Sequence, residues 1–237
     1  MPPLHLQHSG VYDYHFCPRR YLLADACGFA SQVIAPVRAG QTLHRALEIY
    51  HRLKADGEQV TPERRERIFE RAWVRPRDTK KAKREYEQLF GVFDTFAGEW
   101  EGEYENRRAR VIGTEQPFYA AEGSGVLAGK IDLVRERDER LEIVELKFHQ
   151  NPMMPDYPSK QLEHYSLAYS DEHPRLVVHY LKENKMQEIH GREPGAVREE
   201  LAHTFEDIRA RRFPAQNKPA LCRLCPVRFA CAQRASG

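Results

Sequence analysis

The spacing of hydrophobic residues predicts that the first half of the chain is mostly helical. Over residues 42–54, leucine and tyrosine recur at three- and four-residue intervals, as on the buried face of an amphipathic helix. Residues 61–73 open with Thr-Pro-Glu, which supplies an N-cap, a proline in the first turn and an acidic charge at the helix start. We also expect a long charged helix over residues 80–108 and a short helix within residues 8–30, with an irregular stretch from there to Gly40.

After residue 110, β-branched and aromatic residues separated by turn signals predict strands. The expected elements are strands at 111–119, 126–134 and 141–148, a helix at 159–169, a strand at 175–181, a weaker strand at 186–190, a helix at 196–212 and an extended tail. Because the second and third strands flank the charged turn 137–140, they are expected to form a β-hairpin. The predicted fold class is therefore α/β, a single domain in which a helical segment over about 41–108 precedes a mixed core over about 110–212.

Charge and hydropathy narrow the class of protein further. Charged residues make up 30% of the chain but nearly cancel to a net charge of +2, so any affinity for nucleic acid must come from local patches such as Arg19 and Arg20. The chain has no run of eighteen apolar residues and no secretion signal at its start, which predicts a soluble, cytoplasmic protein without a membrane partner. It also lacks a Gly-x-x-x-x-Gly-Lys-Ser/Thr phosphate loop, so any DNA unwinding would need a separate motor protein.

Residues 141–148 carry the most informative polar pattern. Side chains alternate between the two faces of a strand, so Glu145 and Lys147 project together. Asp132 lies on the preceding strand of the predicted hairpin, where pairing would bring it beside Glu145. Two adjacent carboxylates repel each other unless a cation lies between them, and their oxygens suit a hard ion. The pattern therefore predicts a Mg²⁺ or Mn²⁺ site.

The chemistry expected of such a site is hydrolysis of a phosphodiester. A bound metal would neutralise charge on the phosphate and lower the pKa of a bound water, while Lys147 would orient that water or stabilise the developing negative charge. The alternative is an ordinary strand edge, on which a glutamate and a lysine form a solvated ion pair.

Several motifs follow one another in a fixed order along the chain. They are a helical histidine at His44, the strand Gly129-Lys-Ile-Asp132, the pair Glu145-Leu-Lys147 and the helix Gln161-Leu-Glu-His-Tyr165. In these motifs, and over nearly its whole length, the chain resembles the RecB-like branch of the PD-(D/E)XK nuclease superfamily. The resemblance implies a restriction-endonuclease-like fold, with a mixed sheet core flanked by helices, and a Mg²⁺- or Mn²⁺-dependent deoxyribonuclease.

The resemblance also implies roles for individual residues. The residues expected to bind the metal are His44, Asp132, Glu145 and, through its backbone carbonyl, Leu146. Those expected to position the catalytic Lys147 or the DNA are Gln161 and Tyr165. Glu115 resembles a further acidic position of the family, whose role the resemblance leaves open.

Other interpretations of the helical residues stay open at this point. His44 could be an exposed helix histidine. Gln161 and Tyr165 share a helix face whatever their function, since they are one turn apart. Glu48 and His51 lie near the same face as His44 and are interpreted as solvated or supporting residues.

The cysteines indicate a metal site rather than disulfides. The chain has five, at Cys17, Cys27, Cys222, Cys225 and Cys231, and an odd number in a reducing compartment argues against pairing. The last three fall within ten residues, a spacing typical of zinc and iron–sulfur sites. A fourth ligand must come from elsewhere, and Cys17 and Cys27 are the two candidates; a cysteine left out of the site is expected to be a buried free thiol. Zinc and iron–sulfur both accept four thiolates, so ligand chemistry leaves the metal open.

A second resemblance bears on this cluster and on the biological role. RecB-like nucleases of the AddB and CRISPR-associated type are similar to this chain in pairing one early cysteine with a late group of three. This resemblance implies a 4Fe-4S cluster with Cys17 as the fourth ligand and Cys27 as the buried free thiol. Two settings follow from the resemblance: CRISPR adaptation, in which DNA ends are trimmed alongside integrase proteins, and a RecB-, AddB- or UvrD-type repair helicase. In the first, the expected activity is an exonuclease on single-stranded DNA or DNA ends, and in the second the chain would be the nuclease domain or subunit of the helicase. The alternative from another class is a non-catalytic iron–sulfur or zinc subunit that binds DNA.

Overall fold

The computed structural model describes residues 3–29, 35–74, 77–151, 154–169 and 173–233. The chain divides into unit 1, which comprises residues 1–33, 118–129 and 192–237, and unit 2, which comprises residues 34–117 and 130–191. The strands are β1 (Leu4–Leu6), β2 (Ala109–Glu122), β3 (Gly125–Arg137), β4 (Arg140–Lys147), β5 (Arg175–Tyr180) and β6 (Lys185–Ile189). The helices are α1 (His8–Phe16), α2 (Pro18–Tyr21), α3 (Ala35–Ala55), α4 (Pro62–Ala72), α5 (Lys80–Glu105), α6 (Tyr157–Ser166), α7 (Pro194–Arg209) and α8 (Pro219–Leu224).

Helices α3, α4 and α5 supply most of the hydrophobic core of unit 2. The apolar stripe predicted in α3 is confirmed, because Leu43, Leu47 and Tyr50 are fully buried. The predicted start of α4 is confirmed as well, since the side chain of Thr61 accepts a hydrogen bond from the backbone N–H of Arg64 at 3.4 Å.

Helix α3 begins earlier than the hydrophobic pattern predicts. The irregular stretch expected before Gly40 is wrong from residue 35 onward, and residues 30–34 lie outside the described residues. The helix continues through Gly40, where an added Cβ would meet nothing within 4 Å. Glycine in a helix interior costs about 1 kcal/mol relative to alanine. The burial of the apolar stripe further along the same helix outweighs the low helix propensity of this glycine.

The strands of unit 2 form a mixed sheet, which confirms the predicted α/β class. β3 and β4 form the expected antiparallel hairpin, with Leu133 opposite Val144. β4 pairs with β5 in parallel, and β5 pairs with β6 antiparallel. A parallel pair needs a crossover, and α6 provides it by packing against both β4 and β5. This helix was expected at 159–169, but it begins at Tyr157 and ends in a 3-10 turn over Leu167–Tyr169.

Unit 1 is formed by segments that are distant in sequence. β1 is a short strand that the sequence pattern does not reveal, and it pairs in parallel with the first residues of β3. Helix α7 packs its fully buried Phe205 over Gly125, where an added Cβ would lie 2.3 Å from the ring. This close approach explains why residue 125 is a glycine.

The helix expected within residues 8–30 is divided into three pieces. α1 ends where Cys17 adopts an extended backbone, α2 begins with Pro18, and a π-helical turn follows over Leu22–Ala26. The extended tail is also interrupted, because α8 forms after Lys218 and carries Cys222. None of the helices in the described ranges is long and apolar enough to cross a membrane.

Candidate active site

The hairpin of β3 and β4 brings the two predicted catalytic carboxylates together in unit 2. The register continues from Leu133 opposite Val144, so Asp132 and Glu145 occupy the next position on each strand. Asp132 is held in place because its Oδ2 accepts a hydrogen bond from the backbone N–H of Leu146 at 2.8 Å. The side chain of Leu146 is buried in the core, and a metal-binding role of its carbonyl stays a prediction.

His44 and Glu115 converge on Asp132. The Nδ1 atom of His44 lies 3.4 Å from Oδ1 of Asp132. One ligand atom from each of His44, Glu115 and Asp132 lies within 4.8 Å of the others, which makes these three residues a candidate metal site. Glu115 reaches this position from β2 with a φ of +48°, a left-handed conformation that is unusual for a residue with a side chain. The sequence left its role open, and the structure places it among the candidate ligands.

Glu145 lies outside that group of three but carries an unusual carboxylate. Its side chain is only 2% exposed, and Oε1 accepts a hydrogen bond from Nζ of Lys147 at 2.5 Å. The second oxygen, Oε2, is buried and has no hydrogen-bond partner among the described residues. A buried polar atom without a partner is costly, so this oxygen suits a cation ligand. Asp132, His44 and Glu115 nearby have the oxygen and nitrogen donors that Mg²⁺ or Mn²⁺ accepts.

Lys147 is positioned by residues of α6. Its Nζ donates to Oε1 of Gln161 at 3.0 Å, and Nε2 of Gln161 donates to the hydroxyl of Tyr165 at 2.5 Å. The ammonium group also lies 5.0 Å from the centre of the Tyr157 ring, within the range of a cation–π interaction. The structure therefore brings together every side chain that the motifs single out, and it adds Tyr157. That residue lies one helical turn before Gln161, and only the position of α6 against β4 reveals its contact with Lys147.

Burial and mutual attraction determine the charges in this site. Burial opposes the ionised form of Asp132, but His44 and Lys147 outweigh it and lower the pKa of the Asp132 carboxyl. Burial likewise opposes protonation of His44, but the Asp132 carboxylate raises the pKa of the imidazole to about 9. Burial and the negative charge of Asp132 raise the pKa of Glu145 to about 7. The surroundings thus favour the ionised form of Asp132 and oppose that of Glu145.

The four predicted cluster cysteines lie together in unit 1. Cys17, Cys222, Cys225 and Cys231 line one pocket, and Cys27 is absent from its lining. Cys27 is exposed, so the expectation that it is a buried thiol is wrong. No three thiol sulfurs lie within 4.8 Å of one another among the residues that the structure describes.

The two arginines predicted to contact DNA lie against the same pocket. Arg20 forms an ion pair with Asp13 at 2.7 Å and lies over the ring of Phe16. Arg19 donates from Nη2 to Oε1 of Gln233 at 3.1 Å. Both side chains therefore have partners within unit 1, and their contact with DNA stays a prediction.

Comparisons with known proteins give one family match. A sequence model of the PD-(D/E)XK nuclease superfamily matches residues 5–232. No curated protein matches the chain significantly. Among solved structures, the chain is similar to the one titled "Crystal structure of SSO0001", with 16% identity, coverage of 82% of this chain and 85% of that one, and a TM-score of 0.39.

Proposed function

The chain belongs to the PD-(D/E)XK nuclease superfamily, whose members are metal-dependent nucleases, and we propose that it hydrolyses DNA with Asp132, Glu145 and Lys147 as its catalytic residues. One observation carries the proposal more than any other. Glu145 is buried beside a second carboxylate, with one oxygen bound to Lys147 and the other without a partner. A solvated ion pair at a strand edge would leave neither oxygen in this state.

The proposed metal ligands are Asp132, Glu145, His44 and Glu115, with the backbone carbonyl of Leu146 retained from the family resemblance. Mg²⁺ or Mn²⁺ bound by them would neutralise charge on the scissile phosphate and lower the pKa of a bound water. Glu115 is added because it shares with His44 and Asp132 the one group of close ligand atoms found among the described residues.

Lys147 supplies the positive charge that the protein itself brings to the reaction. Burial opposes this charge, but the carboxylates of Glu145 and Asp132 raise the pKa of Lys147 and keep it protonated. Gln161 fixes the direction of its Nζ, and Tyr165 in turn fixes Gln161. We propose that Lys147 donates a hydrogen bond to the attacking water or to the phosphate oxygen on which charge develops.

Cleavage of end-labelled single- and double-stranded DNA, with Mg²⁺, Mn²⁺ or a chelator, tests this proposal. The wild-type protein should cut only with metal, and Lys147→Ala should lose at least about 100-fold of the rate, as expected for a group that stabilises developing charge. Lys185→Ala removes an exposed lysine of unit 2 and should cut normally. If Lys147→Ala does not fold, Lys147→Arg keeps the charge next to Glu145 and should still be impaired. Full cleavage by a folded Lys147 variant would contradict the assignment.

We further propose that Cys17, Cys222, Cys225 and Cys231 hold a 4Fe-4S cluster. The four thiols line one pocket, which supports a shared metal site. Zinc and iron–sulfur both accept four thiolates, and the choice of a 4Fe-4S cluster is taken from the family resemblance. A cluster of this kind would connect segments of unit 1 that are distant in sequence.

Anaerobic purification followed by iron, sulfide and zinc analysis tests the cluster. The wild-type protein should be brown, with iron and sulfide present, and Cys222→Ser should lose the colour. Cys27→Ser is the matched control and should keep it. A colourless wild-type protein that contains zinc would refute the iron–sulfur assignment.

The biological setting is proposed from the family resemblance alone. We propose a cytoplasmic exonuclease that acts on single-stranded DNA or DNA ends in CRISPR spacer acquisition, with integrase proteins as partners. The alternative is a nuclease component of a RecB-, AddB- or UvrD-type repair helicase. Co-purification with an integrase or with a helicase would distinguish the two settings.

A further inference from the structure

Residues of helix α3 line a groove whose lining includes none of the predicted catalytic residues. This groove of unit 2 has a volume of about 390 Å³, and we name it the Arg38–Arg45 groove. Its lining consists of Arg38, Gln41, Thr42, Arg45, Ala72 and Val74. Among the described residues, the lining thus contains two guanidinium groups, an amide and no carboxylate.

The two arginines are available for a ligand. Both are exposed, and within the described parts of the chain neither forms an ion pair. A second groove of unit 2 is different, because two of its basic lining residues have acidic partners: Lys54 forms an ion pair with Glu101 at 2.6 Å, and Arg110 forms one with Glu136 at 2.9 Å. Guanidinium groups on a concave surface attract anions, and they bind phosphate with two parallel hydrogen bonds.

The position of the groove on α3 relates it to the metal site. Arg38, Gln41 and Arg45 are spaced at three and four residues, so they form one stripe along the helix. His44 precedes Arg45 directly and belongs to the neighbouring stripe. Arg38 and Arg45 are two turns apart, which is about 10 Å along the helix axis. This separation suits two phosphates of one nucleic-acid strand better than a single phosphate ion.

The charge of the metal site explains why such a groove is needed. His44 is surrounded by the carboxylates of Glu115, Asp132 and Glu145, which by themselves repel a polyanion. With a net charge of only +2, the whole chain supplies no general attraction for DNA. Exposed cations elsewhere on α3 would offset this repulsion.

We propose that the Arg38–Arg45 groove binds the sugar–phosphate backbone of DNA beside the bond that is cut. The inference rests on the proposed nuclease function, because only that function brings a polyanion to His44. The contacts are to phosphates, so the groove binds without regard to base sequence. It sets the position of the strand in the site and the affinity for it.

DNA binding measured separately from cleavage tests this proposal. Fluorescence anisotropy with a labelled single-stranded oligonucleotide, in the presence of a chelator, gives the affinity of the full chain without hydrolysis. Arg38→Gln/Arg45→Gln should bind at least about tenfold more weakly at moderate salt. The slope of log affinity against log salt should become shallower by about 1.4, which is two phosphate contacts to a single strand. Arg38→Lys/Arg45→Lys keeps both charges and should recover most of the affinity.

A matched pair of substitutions separates the groove from general charge. Arg67→Gln/Arg84→Gln removes two exposed arginines of α4 and α5 that lie outside the groove lining. This variant should bind DNA like the wild type, and circular dichroism should show that both double variants are folded. Equal affinity of the groove variant and the wild type would overturn the proposal, as would equal weakening by both double variants or a wild type that binds no DNA. If the groove variant binds normally while the wild type cleaves DNA, the groove assignment alone fails and the nuclease function stands.

Discussion

His51 provides a quantitative test of how burial controls charge in unit 2. Its side chain is 0% exposed, and its ring lies 5.2 Å from that of Tyr50 and 5.8 Å from that of Phe96. The interpretation of His51 as solvated is therefore wrong, because the helix turns this position into the core. Burial, assisted by the positive charge of Arg135, lowers the pKa of His51 to about 3.

This shift links the stability of the protein to pH. In the unfolded chain a histidine titrates near about 6.5, so the folded state binds fewer protons than the unfolded state between pH 6.5 and 3. The stabilising contribution is complete above pH 6.5 and is lost as the pH falls toward 3. From pH 6.5 to pH 5 the free energy of unfolding falls by about 1.4 kcal/mol per pH unit over about 1.5 pH units, or roughly 2 kcal/mol.

Urea unfolding of wild-type protein and His51→Leu at pH 7 and pH 5 measures the effect. Leucine changes the packing, but that cost is the same at both pH values and cancels in the comparison. The wild type should lose about 2 kcal/mol more than the variant between pH 7 and pH 5. His190→Leu, at an exposed position, controls for the loss of a histidine as such. A difference between wild type and His51→Leu that is the same at both pH values would refute the reasoning.

Three further predictions concern the site and the packing. Tyr157→Ala should lower the cleavage rate by roughly 2- to 30-fold, the equivalent of about 0.5–2 kcal/mol of attraction to Lys147, whereas Tyr157→Phe keeps the ring and should keep the rate. An equal loss of rate in both variants would exclude the ring as the cause. Glu115→Gln should raise the metal concentration needed for half-maximal cleavage by roughly 10- to 100-fold, and an unchanged requirement would remove it from the ligand set. Gly125→Ala should destabilise the protein by about 1–3 kcal/mol, because the added Cβ meets a buried ring, whereas Gly91→Ala, in open space on α5, should stabilise it by up to about 1 kcal/mol. Chemical unfolding of both variants measures the sign and size of each change.

The elements of unit 2 could be predicted where one local pattern dominates. The stripe of α3, the Thr61 cap of α4 and the β3–β4 hairpin follow from spacing and turn chemistry. The same alternation placed Glu145 and Lys147 together, and their contact is observed. These features depend on neighbours in sequence, for which residue patterns carry the information.

Features that depend on distant packing could not be predicted in this way. β1 has three residues and exists because it pairs with β3, more than one hundred residues later. Glu115 joins the metal site through a local left-handed turn of β2 that no strand pattern reveals. Tyr157 contacts Lys147 because α6 crosses β4, a relation set by the parallel pairing of β4 with β5.

The segmental make-up of unit 1 imposes an order of events during synthesis. Cys17 leaves the ribosome early, while Cys222, Cys225 and Cys231 follow only after all of unit 2 has been made. At about 5–20 residues per second, the 205 residues from Cys17 to Cys222 take roughly 10–40 s. The residues of the proposed nuclease site can therefore fold before the four thiols of the pocket come together, and insertion of the proposed cluster would be the last step of maturation.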